Sequence, residues 1–250
     1  MRVRPLSARR YARAVVAKTT GRAPGRRRAL AVAPEPSDTL RHIDAEVRRL
    51  LPALAVHRAL VAGERRPLAA AGFLRGAFPE AEIWGLERRA ASRRDRNAGR
   101  DVRGTHWHRV VLGAPPLPGV DAGVRRAPSE RTPPELTGDA FCAAHGLDSI
   151  DYLQVAVDRD ELDMLRGFQG MLGELRIALV DVTAGMTWDR KGAVPFERLK
   201  AYLEPLGYPV LRIFEQASEL DGRPHLQRCR VVFVSQKAID ANTGRAGARG

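Results

Sequence analysis

The sequence predicts an α/β fold in which helices cover both faces of a seven-stranded, doubly wound parallel sheet. Short apolar runs rich in β-branched residues alternate with longer segments whose apolar residues recur at helical spacing. With 250 residues, of which 44% are hydrophobic, the chain can bury one sizeable core. We therefore expect one domain over residues 37–240, a basic and disordered tail over residues 1–36, and a flexible tail over residues 241–250.

Seven apolar runs are predicted to form the strands of this sheet. They cover residues 57–62, 81–86, 106–112, 151–157, 177–183, 208–214 and 226–235. In a doubly wound sheet, ligands bind beyond the carboxyl ends of the strands, where the connecting loops meet. The loops that follow the first five runs are therefore the places to look for a functional site.

Helical patterns precede the first strand and separate several of the others. The first begins after Pro36, with Ser37 or Thr39 as its predicted N-cap. Further helices are predicted over residues 67–77, 137–145, 160–174 and 194–206, and loops over residues 99–104 and 114–136. Thr137 is the predicted N-cap of the second of these helices, and Gly207 is predicted to end the last.

The net charge of +13 is concentrated at the N-terminus. Residues 1–34 hold ten Lys and Arg residues and no acid, so the rest of the chain is nearly balanced. This tail could be a solvated arm, a targeting segment, an arm that binds nucleic acid or a contact with an anionic membrane. A second basic cluster, Arg88–Arg109, holds eight Arg and two Asp residues. It is interpreted as a solvated surface or as a contact for a phosphorylated or acidic glycan substrate.

The two cysteines indicate neither a disulfide framework nor a zinc site. Cys142 and Cys229 lie far apart, with no CxxC or Cys/His ligand spacing around them. This usage fits a reducing compartment, so we expect a cytoplasmic protein. No apolar run approaches the roughly 20 residues that a membrane helix needs. The sequence leaves the oligomeric state open.

The segment Leu136–Ile239 resembles the FkbM-type methyltransferases. This family consists of O-methyltransferases that depend on S-adenosylmethionine (SAM) and have a seven-stranded, Rossmann-like fold. The likeness is carried by the run GDAFCAAHGLDSIDYLQVAVDRDELDMLRGFQGML (138–172) and by VPFERLKAYLEPLGYPVLRIF (194–214). Upstream, FPEAEIWGLE (78–87) and HRVVLGA (108–114) resemble two further strands of the family.

The resemblance implies SAM as cofactor and a hydroxyl of a sugar or secondary metabolite as methyl acceptor. Gly63 is the residue that matches the family's glycine-rich turn, where backbone N–H groups approach the cofactor. Glu87, at the end of the second strand, matches an acid that can accept both ribose hydroxyls. Asp158 matches the catalytic loop, where a carboxylate can take the hydroxyl proton as the C–O bond forms. No metal is implied.

Several positions depart from the family pattern. The glycine-rich turn is replaced by AGERRPL (62–68), Ala156 stands where the family has an acid, and Thr183 replaces another acid, with Asp181 two residues earlier. These losses favour a second hypothesis, a catalytically degenerate methyltransferase-fold protein that acts as a binding or scaffold module. A third hypothesis is nucleic-acid binding through the basic tail.

Two further groups of residues have competing interpretations. Asp158 or Asp160 could be the N-cap of the helix that follows, with Glu161 as a favourable acid in its first turn. His106 and His108 alternate along one strand and are predicted to share a face. A metal or base role for them would need a third ligand, so packing or an edge position is the simpler interpretation.

Overall fold

The computed structural model describes residues 36–63, 67–87, 104–114, 135–157, 160–187, 193–217 and 226–244. The basic tail up to residue 35, residues 64–66, most of the second basic cluster and Asp158 lie outside the described residues. In chain order the elements are α1 (Pro36–Leu50), β1 (Arg58–Gly63), α2 (Pro67–Ala77), β2 (Glu82–Glu87), β3 (Thr105–Arg109), β4 (Val111–Leu112), β5 (Glu135–Leu136), α3 (Gly138–Ala144), β6 (Ile150–Ala156), α4 (Glu161–Gly167), α5 (Gln169–Gly173), β7 (Ile177–Gly185), α6 (Phe196–Leu203), a 3-10 turn (Glu204–Leu206), β8 (Val210–Ala217), β9 (Arg228–Val234) and α7 (Gln236–Thr243).

The described residues form a seven-stranded sheet with the strand order β3-β2-β1-β6-β7-β9-β8. Strands β3, β2, β1, β6 and β7 pair in parallel, whereas β9 is antiparallel to both of its neighbours. From β1 the chain builds the sheet outward through β2 and β3, and it then returns to the other side of β1 with β6. The order of the strands therefore reverses between β1 and β6, and this is the topological switch point of the sheet.

Helices cover both faces of this sheet. One hydrophobic core joins alternate strand residues to α1, α2 and α7, and the other joins the intervening strand residues to α3, α4, α5 and α6. Strand interiors are accordingly buried on both sides, as in β1 and β7. The predicted Rossmann-like α/β fold, with a seven-stranded sheet between two helical layers, is confirmed.

The prediction of a wholly parallel sheet is wrong for β9. The segment that joins β8 to β9 covers residues 218–227. A parallel crossover needs about a dozen residues or more, usually with a helix, so these consecutive strands pair antiparallel instead. The predicted strand 106–112 also divides, since β3 ends at Arg109 and β4 leaves the main sheet to pair with β5.

The predicted helix 160–174 divides at Phe168 into α4 and α5. The cause lies in α3, where the Asp139 carboxylate accepts hydrogen bonds from the backbone N–H groups of Gly170 (2.7 Å) and Met171 (3.0 Å). These bonds satisfy the free N–H groups of a new helix terminus. The break also lets the chain at Gly167 pass close to Gly113, because a Cβ at Gly167 would lie 2.4 Å from the Gly113 carbonyl oxygen.

The predicted helix ends agree with the structure in two cases and differ in two. Thr137 caps α3 by accepting a hydrogen bond from Ala140 N (3.1 Å), and Gly207 ends the helical segment with a φ of 86°. In contrast, α1 begins at Pro36, so Ser37 and Thr39 lie within its first turn and neither is the N-cap. The final helix α7 runs to Thr243, three residues into the segment predicted as a flexible tail.

A buried ionic network joins β6, β7 and β9 beneath the face covered by α1 and α7. Asp181 and Arg230 are 1% and 7% exposed, and Arg230 Nε donates to Asp181 Oδ1 over 2.6 Å. Arg230 Nη2 and the Tyr152 hydroxyl both donate to Asp181 Oδ2. Burial, and then the charge of Asp181, raise the pKa of Tyr152 well above its usual value, so its hydroxyl stays protonated. Both Asp181 oxygens are thus engaged within the core.

We expect Arg230→Met to lower the free energy of unfolding by about 3–5 kcal/mol, measured by urea denaturation, because it leaves the Asp181 carboxylate buried without its cation. The double variant Asp181→Leu/Arg230→Met removes both charges and should recover much of this loss. Arg166→Met, which breaks an exposed ion pair with Asp163, is the control and should cost less than about 1 kcal/mol. A double variant as unstable as Arg230→Met would contradict the expectation.

Candidate functional site

The structure brings two of the predicted site residues together at the carboxyl edge of the sheet. Gly63, the last residue of β1, pairs with Glu87 of β2 on one side and with Ala156 of β6 on the other. Glu87 in turn pairs with Arg109 of β3. These four residues form one row across the strand ends, which we call the edge row. The switch point between β1 and β6 lies within it, between Gly63 and Ala156.

Gly63 is buried, and the fold itself does not require a glycine there. Its φ is not in the left-handed region, and a Cβ would lie 3.4 Å from the Ala156 carbonyl oxygen and 3.7 Å from the Ala156 Cβ. Those are ordinary van der Waals distances, so an alanine would fit. Because Gly63 has no side chain and its neighbour Ala156 has a small one, there is more space at the switch point than packing requires. A ligand that approaches the backbone closely needs such space.

Asp158, the predicted catalytic residue, lies outside the described residues. The chain is described up to Val157, one residue beyond β6, and again from Asp160. Asp160 is the N-cap residue of α4, as one of the two predictions had it, although its side chain makes no capping hydrogen bond. For Glu87, the backbone position in β2 is described.

Strand β7 rises above the edge row. Val155 of β6 pairs with Val182, and β7 continues for three residues beyond that pair, to Gly185. At about 3.3 Å per residue, the last two of these place the end of β7 roughly 6–7 Å beyond the level of Ala156. The chain then loops and returns, since Gly185 N donates to Val194 O over 2.8 Å and Gly185 forms an isolated bridge with Pro195. The edge of the sheet therefore has a step between β6 and β7.

Glu161 ties α4 to this returning segment. Its side chain is fully buried, and Oε2 accepts a hydrogen bond from Val194 N over 3.2 Å. The sequence predicted Glu161 as an acid in a helix first turn and missed this role. One signal could have indicated it, because Glu161 stands four residues before Leu165 and seven before Phe168, on the stripe that the helix buries.

Histidines and aromatic rings form a cluster at the β3 side of the sheet. His106 and His108 share a face, as predicted, since both imidazoles stack on Trp84, with ring centroids 4.4 and 5.4 Å away. His145, at the C-terminal end of α3, lies 4.3 Å from His108 between ring centroids. Burial, and then the charges of His145 and His106, lower the pKa of His108. The only other charged side chain seen to contact the cluster in the described residues is Glu82, 2.9 Å from His106 Nε2.

In this cluster the aromatic and imidazole rings pack against one another. No group of three or more His, Cys, Asp or Glu residues in the described part of the chain is placed to hold a metal ion. Cys142 and Cys229 are free and buried, and burial raises the pKa of Cys142 to about 12 and that of Cys229 to about 11. Neither thiol is ionised near neutral pH, so neither is suited to nucleophilic chemistry.

Two further observations concern parts of the molecule away from the edge row. A cleft lined by Val47, Leu54 and Phe78 opens between α1 and the turn before β2, at the amino edge of the sheet and so on the side opposite to the edge row. Within the ranges that the structure describes, no helix combines the length and apolar character needed to traverse a bilayer.

Comparisons with known proteins give likenesses in structure. No protein-family model matches the chain, and no curated protein matches it in sequence. A precorrin-6y C5,15-methyltransferase from Geobacter metallireducens aligns with a TM-score of 0.40 and 13% identity over 78% of this chain and 88% of that one. The METTL16 methyltransferase domain aligns with a TM-score of 0.40 and 10% identity over 79% and 68%. The pyocyanin biosynthetic protein PhzM aligns with a TM-score of 0.39 and 16% identity over 80% and 55%.

We expect acid to destabilise the protein through His108. Its folded pKa lies below the ordinary value of 6.5, so the folded state binds the proton less readily than the unfolded chain. The stability that a neutral His108 provides is present above about pH 6.5 and is lost as the pH falls through the folded pKa. His108→Phe keeps a ring in the stack but cannot be protonated. The fall in melting temperature between pH 7 and pH 5 should therefore be smaller in this variant, and an unchanged fall would contradict the assignment.

Proposed function

We propose that the protein is a SAM-dependent O-methyltransferase of FkbM type that methylates a hydroxyl of a sugar or secondary metabolite. The observation that carries this proposal is the pairing of Gly63 with Glu87 in the edge row, at the switch point of a Rossmann-like sheet. Ligands of doubly wound sheets bind at this position. The sequence resemblance selects SAM among the nucleotides and adenosyl compounds that could bind there.

The residues at the edge row fit the cofactor. Neighbouring parallel strands are about 4.8 Å apart, so the Glu87 position lies one strand spacing from Gly63. Glu87 would hold the ribose through its two hydroxyls, and the chain at Gly63 would leave room for the rest of the molecule. When bound, SAM supplies an electrophilic methyl group on a sulfonium.

Asp158 is proposed as the general base. In sequence it comes two residues after Ala156, the last residue of β6, and β6 neighbours β1 on the side opposite to β2. The acceptor hydroxyl loses its proton to this carboxylate as its oxygen forms the new bond to carbon. The cofactor and the base would therefore be held by neighbouring strands, with the acceptor between Asp158 and the end of β7.

The sequence AGERRPL favours a second candidate function, a binding or scaffold module of the same fold. Glu64, Arg65 and Arg66 carry bulk and charge where the family has glycines, and these residues lie outside the described part of the chain. The two functions differ in one measurable property, the affinity for the cofactor.

Calorimetric titration with S-adenosylhomocysteine (SAH) tests cofactor binding. We expect saturable binding by the wild type and a loss of about 10–100-fold in affinity in Glu87→Gln, because a neutral amide cannot replace charge-assisted hydrogen bonds to the ribose. Glu82→Gln is the matched control, since Glu82 lies in the same strand but at its amino end, half exposed to solvent.

The control variant should bind SAH with an affinity within about twofold of the wild type. A wild type that binds no SAH at millimolar concentration would remove the methyltransferase proposal and leave the scaffold function. Equal losses in Glu82→Gln and Glu87→Gln would mean that the substitutions act on the fold and not on the cofactor.

Methyl transfer itself is tested with SAM that carries a radiolabelled methyl group and with small molecules from a cell extract as acceptors. We expect Asp158→Asn to lower the rate of transfer by about 10²–10⁴-fold, the usual contribution of a general base, while SAH affinity is retained. Asp163→Asn, an exposed position on α4, is the control and should leave the rate unchanged. A full rate in Asp158→Asn would exclude this residue as the base.

A further inference from the structure

Gln154 is a polar side chain buried in the middle of the sheet, in strand β6. It is 7% exposed, and its amide oxygen Oε1 is buried and accepts no hydrogen bond from the described residues. Asp181, which pairs with Gln154 across β6 and β7, is already engaged by Arg230 and Tyr152. A buried polar atom without a partner destabilises the fold, so its presence calls for an explanation.

Gln154 lies one step below the edge row. Ala156 is two residues further along β6, so the two side chains share a face of the sheet. A Cβ at Gly63 would lie 3.7 Å from the Ala156 Cβ, so Gly63 opens toward the same face. Two residues of a strand rise about 6–7 Å, and a glutamine side chain spans most of that distance. A ligand that covers Gly63 and Ala156 therefore comes within reach of the Gln154 amide.

The proposed function determines which part of the cofactor would lie here. In SAM, the adenine and the sulfonium are attached on opposite sides of the ribose, and the amino acid arm continues from the sulfonium. Because the proposed base Asp158 follows β6, the sulfonium has to face the β6 side for methyl transfer. With the ribose at Glu87 of β2, the arm then extends across Gly63 of β1 toward β6. Its ammonium and carboxylate groups thus come to the strand that carries Gln154.

We propose that Gln154 binds the amino acid arm of the cofactor. This inference rests on the proposed function. The amide oxygen accepts a hydrogen bond from the ammonium group, and the amide NH₂ donates to the carboxylate. Hydrogen bonds to charged groups are stronger than those between neutral groups, so the arm supplies the partner that the fold leaves out. Gln154 is thus a binding residue for the cofactor and takes no part in the proton transfer.

Calorimetric titration of the full-length protein with two ligands tests this proposal. The ligands are SAH and 5′-methylthioadenosine, which has the same nucleoside and sulfur but lacks the amino acid arm. Gln154→Met keeps the length of the side chain and removes its amide. We expect its affinity for SAH to fall by about tenfold or more, while its affinity for 5′-methylthioadenosine stays within about twofold of the wild type. Gln169→Met, at an exposed glutamine that begins α5, is the matched control and should change neither affinity.

The melting temperature of the ligand-free protein distinguishes a binding role from a structural one. Because the Gln154 oxygen has no partner among the described residues, Gln154→Met should leave this temperature unchanged or raise it. A fall of more than about 4 °C would show that the amide stabilises the fold, and it would overturn the proposal.

The titrations also separate this proposal from the proposed function. A wild type that binds no SAH would overturn both. If the wild type binds SAH and Gln154→Met binds it equally well, the role of Gln154 is wrong and the proposed function stands. Equal losses for SAH and 5′-methylthioadenosine would place the effect on the nucleoside or on the fold, and would likewise exclude a contact between Gln154 and the arm.

Discussion

The register of β1 against its two neighbours is the constraint on which the rest of the structure depends. At the amino edge, the Asp151 carboxylate of β6 accepts hydrogen bonds from the backbone N–H groups of His57 and Arg58, both over 2.8 Å. On the other side of β1, Glu82 N of β2 donates to His57 O over 2.7 Å. A slip of one residue would turn every side chain of a strand to the opposite face, and both faces of this sheet are buried. The contacts at the amino edge are therefore in register with the pairing of Gly63 with Glu87 and Ala156 at the carboxyl edge.

The buried ionic network likewise holds the antiparallel strand β9 in register with β7. Arg230 of β9 pairs in register with Thr183 and reaches Asp181 through its side chain, so β9 is held against the part of β7 that approaches the edge. Beyond the pair of Thr183 with Arg230, the two strands remain paired, Ala184 with Cys229 and Gly185 with Arg228. The step above the edge row is thus supported by two strands and fixed from within the core.

Local patterns in the sequence predicted the sheet and its helical layers, but they did not predict the contacts that shape the site. Apolar runs and helical spacing depend on neighbours within about one or two turns, and those were sufficient for the strands and most helices. The division of the helix at Phe168 depends on Asp139, 31 residues before Gly170, and the bond from Val194 to Glu161 spans a similar separation. Likewise, the stack of His108 on His145 requires α3 to dock on β3. Such contacts exist only once the chain has folded, so spacing alone cannot reveal them.

Long-range contacts of this kind also occupy two of the acids near the carboxyl edge, Asp181 and Glu161, with structural partners. Thr183 stands where the resemblance implies an acid, and Asp181, two residues earlier, is fully engaged by Arg230 and Tyr152 in the core. Asp181 therefore stabilises the fold and cannot stand in for the missing acid. Glu161 is likewise occupied by the loop after β7. Under the proposed function the cofactor and the acceptor proton fall to Glu87 beside Gly63 and to Asp158 after β6, and a protein that had kept the fold for binding alone would need neither.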